Sequence, residues 1–215
     1  MSEAPALTRK KRSEAILKSE GVPFISHLPV VEDEATASFR TAEEVSWRAM
    51  ALCLVASKGE GLAQEQVRRI VDQYELEQAL TTKERKFIFD DAPSDSDRTQ
   101  HVWRYEGYWV LLWALHYVVD LERPDHFCDV ARAVKVMKER SAQEFITAAQ
   151  LRRHNDILDA TDLIYRYDWA CVDARLKSED PPAGLNAGVV WERHYALNWL
   201  VGYMDQEWDD ISTDT

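Results

Sequence analysis

The sequence has little glycine, proline and cysteine, and it lacks the short motifs that mark many enzyme families. Glycine and proline occur seven times each in 215 residues, and there is no phosphate-binding loop, dinucleotide fingerprint, GxSxG nucleophile elbow, HExxH or ExxH. The three cysteines, Cys53, Cys128 and Cys171, form no CxxC pair. We therefore expect buried, reduced thiols, and no cofactor of the nucleotide or zinc type.

Basic charge is also scarce, and no apolar run is long enough to cross a bilayer. Lysine and arginine number 26 against 38 aspartates and glutamates, giving a net charge of −12, which argues against nucleic acid or an anionic membrane as a partner. The most apolar window, residues 107–119, is too short for a span, and residues 1–6 lack the apolar core of a signal peptide. The one basic run, residues 9–12, has two interpretations: a nucleic-acid or targeting patch and, the one that we favour, the solvated start of a helix. We expect a soluble, cytoplasmic protein.

The sequence does contain clear helical periodicity. Its 46% hydrophobic and 30% charged residues are those of an ordinary globular protein, and no alternating run indicates a strand. We predict a single compact all-α domain over residues 1–215, in which residues 1–11 are a candidate for disorder and residues 90–100 form an exposed loop. Three capping boxes mark helix starts: Thr41 with Glu44, Thr81 with Glu84, and Ser141 with Glu144.

A tryptophan-rich segment is the expected centre of the domain. Residues 102–119 are apolar on almost every side, which is typical of a helix wrapped by other helices. The few polar residues of this central helix are Arg104, Glu106 and His116. Glu106 shares its face with aromatic side chains, so we expect it to be a buried charge.

A second charge of opposite sign lies in the closing helix, predicted over residues 188–204. Arg193 falls in the middle of the apolar arc of that helix. A guanidinium cannot lose its charge, so burial demands a carboxylate partner from elsewhere in the fold. The two candidates are Glu106 on the central helix and Asp162, which lies in the core stripe of a long helix predicted over residues 150–177.

Several strings resemble a known family. They are WRYE at 103–106, LWAL at 112–115, ILD at 157–159, DLIY at 162–165, ERHYALNW at 192–199 and WDD at 208–210. This pattern is similar to an uncharacterised group of bacterial proteins, the domain-of-unknown-function family numbered four-two-seven-two. The resemblance covers most of the chain from about Arg12 onward and implies a cytosolic helical domain without an assigned activity. His116 stands where the resemblance leads us to expect a glycine.

Two hypotheses compete for the buried charges. Glu106, Asp162, Arg193 and His194 can form a polar site, in which a carboxylate near a histidine does acid–base work and the arginine orients an anionic substrate. The alternative, which we favour, is that Arg193 pairs with a carboxylate only to fix helix packing.

A metal site is disfavoured by spacing. His154, Asp156 and Asp159 are close in sequence, but His154 and Asp159 are five residues apart. Metal ligands on one helical face usually recur at three or four. We therefore expect no metal.

A protein-binding surface is the leading functional expectation. Trp191 points away from the apolar arc, and with Asn198 beside it we expect an exposed contact surface. Asp209 and Asp210 in the acidic tail are further binding candidates, because Trp208 is expected to pack the tail back on the domain. The sequence thus favours a non-enzymatic cytosolic protein-binding or regulatory domain, with another protein or a second copy as partner. The alternative is a small-ligand-binding protein or an acid–base enzyme using the four buried polar residues.

Overall fold

The computed structural model describes residues 4–215, and within that range it contains helices and loops but no strand. The all-α prediction is therefore confirmed. The helices are α1 (Pro5–Glu20), α2 (Ala42–Glu60), α3 (Gln64–Tyr74), α4 (Thr82–Phe89), α5 (Asp95–Val102), α6 (Arg104–Ala114), α7 (Val130–Lys138), α8 (Ala142–Ala148), α9 (His154–Leu176) and α10 (Ala187–Leu200).

Helix α6 lies at the centre of the molecule, as its uniformly apolar sequence predicts. Every residue from Tyr105 to Ala114 is buried. Helix α6 packs against α2 on one side and α10 on another, while α10 also packs against α9 and α9 against α1. A helix that contacts neighbours on several sides cannot present a polar face, which explains why almost none is present in its sequence.

The central helix is shorter than the predicted 102–119. At its start, α5 ends at Val102, and Trp103 forms the turn into α6. At its end, His116 adopts the left-handed conformation with φ of 63°, and the amide of Tyr117 donates to the carbonyl of Leu112. This is a usual way to end a helix, at a position where glycine is the unstrained residue. A glycine, as expected here from the family resemblance, would adopt this positive φ without strain.

The prediction of a loop at residues 90–100 is wrong over most of that range. Ser94 caps a new helix, α5, because its side chain accepts a hydrogen bond from the amide of Asp97. The helix lies close to α2 because Gly59 has no side chain: a Cβ there would lie 2.8 Å from the carbonyl oxygen of Arg98. No residue of α5 is buried, so the predicted exposure holds for the helix, whereas Pro93 before it is buried.

The three predicted capping boxes are present with both reciprocal hydrogen bonds, and they open α2, α4 and α8. The start of the chain differs from expectation. Residues 5–11, part of the candidate for disorder, belong to α1, while residues 1–3 lie outside the described range. The basic run is not simply solvated either, since Arg9 is 2% exposed. It bonds Asp159, the backbone of Glu32 and Asn155, which offset the cost of its burial.

The chain ends by folding back over α10, as the tryptophan at position 208 predicts. Trp208 is buried, and its ring lies edge-on to Tyr195 and Trp199 at centroid distances of 5.2 and 5.4 Å. The Tyr195 hydroxyl donates to the Trp208 carbonyl. The three cysteines are buried and unpaired, as expected.

Candidate functional site

Arg193 and Glu106 form a buried ion pair between α10 and α6. The Arg193 Nε lies 2.8 Å from Glu106 Oε2, and the two side chains are 3% and 0% exposed. Two more polar atoms of the pair bond the backbone: Arg193 Nη1 donates to the carbonyls of Leu121 and Glu122, and Glu106 Oε1 accepts from the amide of Cys128 at 2.6 Å. Of the two partners predicted for Arg193, Glu106 is therefore the correct one.

Asp162 has a different partner from the one expected in the sequence. It accepts two hydrogen bonds from Arg166, one turn further along α9, at 2.7 and 2.9 Å. Both side chains are fully buried. The spacing of four residues is the signal that could have identified this pair, since side chains at i and i+4 meet on one helical face.

His194 belongs to a third pair. Its Nδ1 lies 2.9 Å from Asp168 Oδ2, and both side chains are almost completely buried. Asp168 was not identified from the sequence. The four predicted polar residues are thus divided among three separate pairs, and none of them lines any of four cavities, of about 1280, 1020, 530 and 510 Å³, that open on residues 4–215. Of the three pairs, only that of His194 touches one of these cavities, through Asp168, which lines the cavity of about 530 Å³.

A fourth ion pair, between Arg104 and Glu192, also joins α6 to α10. We call the contact formed by Glu106, Arg193, Arg104 and Glu192 the α6–α10 interface. Arg104 Nη1 lies 2.9 and 3.2 Å from the two oxygens of Glu192. Burial raises the pKa of Glu192, while the positive charge of Arg104 opposes that shift. The interface holds two opposite charges from each helix, so its charges cancel internally.

The largest of these open features is the cleft of about 1280 Å³, which we call the acidic cleft. It lies between the start of α2, the segment from the end of α3 into α4, the end of α10 and the C-terminal tail. Its tryptophans are Trp47, Trp199 and Trp208. Its charged residues are Arg40, Arg48, Arg85, Glu44, Asp72, Glu75, Glu77, Glu207, Asp209 and Asp210.

Two arginines of the cleft stack on its tryptophans. The guanidinium of Arg40 lies 5.1 Å from the ring centre of Trp199, and that of Arg48 lies 5.2 Å from the ring of Trp208. Such cation–π contacts hold the rings and the guanidinium groups in fixed relative positions. The wall of the cleft is therefore ordered by the same tryptophan that anchors the tail.

Each arginine of the cleft is neutralised by a carboxylate. Arg48 pairs with Glu84 at 2.5 Å, both side chains being buried. Arg40 lies 3.5 Å from Glu207, and Arg85 lies 2.6 Å from Glu77. The three arginines of the cleft are thus paired with carboxylates of the protein itself.

Three carboxylates of the cleft have no such partner. Asp72 on α3, Glu75 directly after it and Asp210 in the tail are exposed, and their side chains make no hydrogen bond or ion pair within residues 4–215. They come from segments that are distant in sequence and converge on one opening. The surplus charge of the acidic cleft is consequently negative.

Two hydrogen-bond donors lie behind the wall of the cleft without acceptors. The indole Nε1 of Trp199 and the Nε of Arg48 are closed to solvent and have no partner among the described residues. Trp109 Nε1 and Arg166 Nη1, which lie away from the cleft, are in the same state. These donors therefore do not mark a ligand site, and the exposed side chains of the cleft are the groups that a ligand can meet.

The binding residues predicted from the sequence do not form one surface. Trp191 is 41% exposed, as expected, but it lines a separate cavity of about 530 Å³ with Asp168 and Cys171. Asn198, expected to be exposed, is buried under the tail, where its Nδ2 donates to the carbonyl of Ser212 at 2.8 Å.

Asp209 and Asp210, the binding candidates of the tail, both line the acidic cleft. Asp209 accepts a hydrogen bond from the amide of Lys83 at 3.3 Å. This places the tail against the start of α4, and so the tail forms one wall of the cleft.

The residues weighed as metal ligands are engaged elsewhere. His154 stacks on Phe39, with ring centres 3.8 Å apart, and Asp159 pairs with Arg9 and Arg12. No group of three potential ligands is arranged to hold a metal ion in the part of the chain that the structure describes. In that same part, no helix is both long and apolar enough to span a lipid bilayer.

Comparisons with known proteins give one match. A family model described as "Domain of unknown function (DUF4272)" matches residues 9–211, which is nearly the whole chain. No curated protein and no solved structure matches. The sequence resemblance is therefore confirmed, and the family brings no assigned function to the residues described above.

Proposed function

We propose that this chain, which belongs to the family "Domain of unknown function (DUF4272)", is a protein-binding domain whose acidic cleft takes an extended, basic segment of another protein. The observation that carries the proposal is the convergence of three unpaired carboxylates, Asp72, Glu75 and Asp210, on a cleft with tryptophan walls. The family has no assigned activity, so the chemistry of this site carries the proposal.

Charge selects the class of partner. The arginines of the cleft are paired internally, so a ligand meets the field of the unpaired carboxylates. Lysine and arginine side chains are the groups that such a field attracts, whereas nucleic acid and anionic lipid are repelled. The net charge of −12 acts in the same direction and speeds the encounter with a basic partner.

The walls suit a peptide better than a free cation. Trp47 is partly exposed in the cleft and offers a flat apolar surface to the methylene stem of a lysine or arginine. Gln78 and Thr82 also line the cleft, and their exposed side chains make no hydrogen bond within residues 4–215, so they are available to the backbone of an extended peptide. A simple metal or ammonium ion has no apolar stem to place on Trp47 and no backbone to offer these groups.

The partner is a different protein rather than a second copy. The one basic run of this chain, residues 9–12, is folded into α1. Arg9 and Arg12 are paired with Asp159, so this segment is not free to enter the cleft of another copy. The proposal includes a cytoplasmic location, because three unpaired buried cysteines suit a reducing compartment.

A binding titration tests this function. The probe is a fluorescein-labelled oligo-arginine peptide, followed by fluorescence anisotropy, with oligo-glutamate as the acidic control. We expect the wild type to bind oligo-arginine and not oligo-glutamate. In the triple variant Asp72→Asn/Glu75→Gln/Asp210→Asn we expect the affinity for oligo-arginine to fall by about tenfold or more, because the carboxylates that attract the peptide are removed. A tenfold change corresponds to about 1.4 kcal/mol of binding free energy.

A matched variant separates the cleft from general charge. Asp120→Asn/Glu179→Gln/Asp180→Asn removes the same number of exposed carboxylates, all of them outside the cleft. We expect it to weaken binding by less than about threefold, the effect of long-range attraction alone. Equal weakening by the two triple variants, or no binding to the wild type, would overturn the proposal.

A further inference from the structure

A second cavity, of about 510 Å³, opens between α2, α3, α6 and α7, and we call it the apolar cavity. Its volume lies within the range of roughly 300–1000 Å³ that is usual for small-molecule sites. The walls are mostly apolar, in contrast to the acidic cleft. The apolar wall residues are Leu54, Leu62, Ile70, Tyr74, Val134 and Met137.

The wall of this cavity is held in place by the core. Leu54, Tyr74 and Met137 are 5% exposed or less, so the cavity reaches side chains of the hydrophobic core. The Tyr74 hydroxyl donates to the carbonyls of Met137 and Arg140, which ties α3 to the end of α7. The cavity is therefore built from ordered helices rather than from a loop.

The inner polar groups of the cavity are satisfied. The Tyr105 hydroxyl donates to Glu60 Oε2 at 2.8 Å and lies 3.1 Å from the hydroxyl oxygen of Ser57. Burial raises the pKa of the Cys53 thiol to about 12, so this wall residue is uncharged at neutral pH. A ligand in this part of the cavity needs an apolar body and no further charge.

One charged group at the cavity is without a partner. Lys138, at the end of α7, is exposed, and within residues 4–215 it makes no hydrogen bond or ion pair. Lys135, three residues earlier, is by contrast 3.6 Å from Glu139. Glu60 is the one carboxylate of the lining, and the Tyr105 hydroxyl already bonds it.

We propose that the apolar cavity binds a small organic monocarboxylic acid. Its hydrocarbon body lies against Leu54, Ile70 and Met137, and its carboxylate pairs with Lys138. The apolar body contributes through removal of hydrocarbon surface from water, while the charge pair selects an acid over a neutral or cationic molecule of equal length. This site is separate from the acidic cleft, with no lining residue in common.

Isothermal titration calorimetry with octanoate, octanol and octylamine tests the proposed ligand class. We expect octanoate to bind the wild type more tightly than octanol, and octylamine to bind weakest. In Lys138→Gln the affinity for octanoate is expected to fall by about fivefold, as for a partly exposed ion pair, with octanol unaffected. Lys135→Gln is the matched control, and we expect less than about a twofold change for either ligand.

Location is tested by a substitution that fills the cavity. Gln73, which is exposed in the lining, is replaced by tryptophan, and Gln100→Trp places the same side chain on the exposed surface of α5, outside the four cavities. We expect the affinity for octanoate to fall by about fivefold or more in Gln73→Trp and to stay within about twofold of the wild type in Gln100→Trp. No octanoate binding, an unchanged affinity in Lys138→Gln, tighter binding of octylamine or equal affinities of the two tryptophan variants would each overturn the proposal.

Discussion

The α6–α10 interface and the acidic cleft both contain arginines and carboxylates, but they differ in whether every carboxylate has a partner. At the interface, Arg193 and Glu106 are buried and bond each other and backbone groups. In the cleft, the arginines are paired, while three exposed carboxylates remain without partners among residues 4–215. A charge that is saturated within the protein fixes how helices pack, whereas an unsaturated one is available to a ligand. Partner saturation, rather than residue type, therefore separates the charges of the interface from the carboxylates to which we assign a binding role.

The largest expected effect is a loss of stability when the buried ion pair of the α6–α10 interface is broken. Arg193→Met leaves Glu106 as an isolated buried charge and removes the donors to the carbonyls of Leu121 and Glu122. We expect a loss of about 3–5 kcal/mol in the free energy of unfolding, as for a broken buried ion pair. Urea unfolding followed by circular dichroism measures it. A loss below about 1 kcal/mol would show that water already solvates Arg193.

A smaller effect is expected at the end of α6, where His116 holds a positive φ of 63°. His116→Gly removes the strain of a side chain in the left-handed region, but it also increases the freedom of the unfolded chain. The side chain is exposed and makes no hydrogen bond or ion pair within residues 4–215. We expect a gain of at most about 1 kcal/mol in unfolding free energy. A clear loss in urea unfolding would mean that the histidine ring itself stabilises this turn.

The smallest expected effects concern how the free energy of unfolding depends on pH, which should differ in sign between the acidic cleft and the α6–α10 interface. Hydrogen bonds from the backbone and hydroxyl of Thr41 lower the pKa of Glu44 at the cleft, whereas burial raises the pKa of Glu192 at the interface. A lowered pKa gives stability that is present above the ordinary value of 4.5 and is lost as the pH falls through the folded pKa. A raised pKa gives stability that is complete below 4.5 and is lost as the pH rises through the folded pKa.

Two single variants separate these contributions. We expect Glu192→Gln to flatten the stability profile just above pH 4.5, and Glu44→Gln to flatten it below that pH, relative to the wild type. Urea unfolding across this pH range is the measurement. The same change of slope in both variants would contradict the assigned environments.

Local features of the fold were predictable from the sequence. The capping boxes at Thr41, Thr81 and Ser141 act over four residues, so the sequence alone specifies these helix starts. Helix α5 was missed because its residues are polar and exposed, which removes the apolar period that marks a helix. Its Ser94 cap was the signal available.

The candidate site was less predictable because it depends on contacts between distant segments. The burial of Arg193 and its partner Glu106 followed from apolar periodicity on two helices. Asp168 gave no such signal, since only the approach of α9 to α10 makes it the partner of His194. Asn198 is covered by the tail, and the acidic cleft joins four segments, so neither could be read from spacing along the chain.

The most direct test measures affinity and stability together on the Asp72→Asn/Glu75→Gln/Asp210→Asn variant of the acidic cleft. Because these carboxylates have no partner within residues 4–215, their removal breaks no internal bond. We predict that its affinity for oligo-arginine falls by about tenfold or more while its free energy of unfolding stays within about 0.5 kcal/mol of the wild type. An unchanged affinity, or a loss of stability as large as that expected for Arg193→Met, would contradict the distinction between saturated and unsaturated charges.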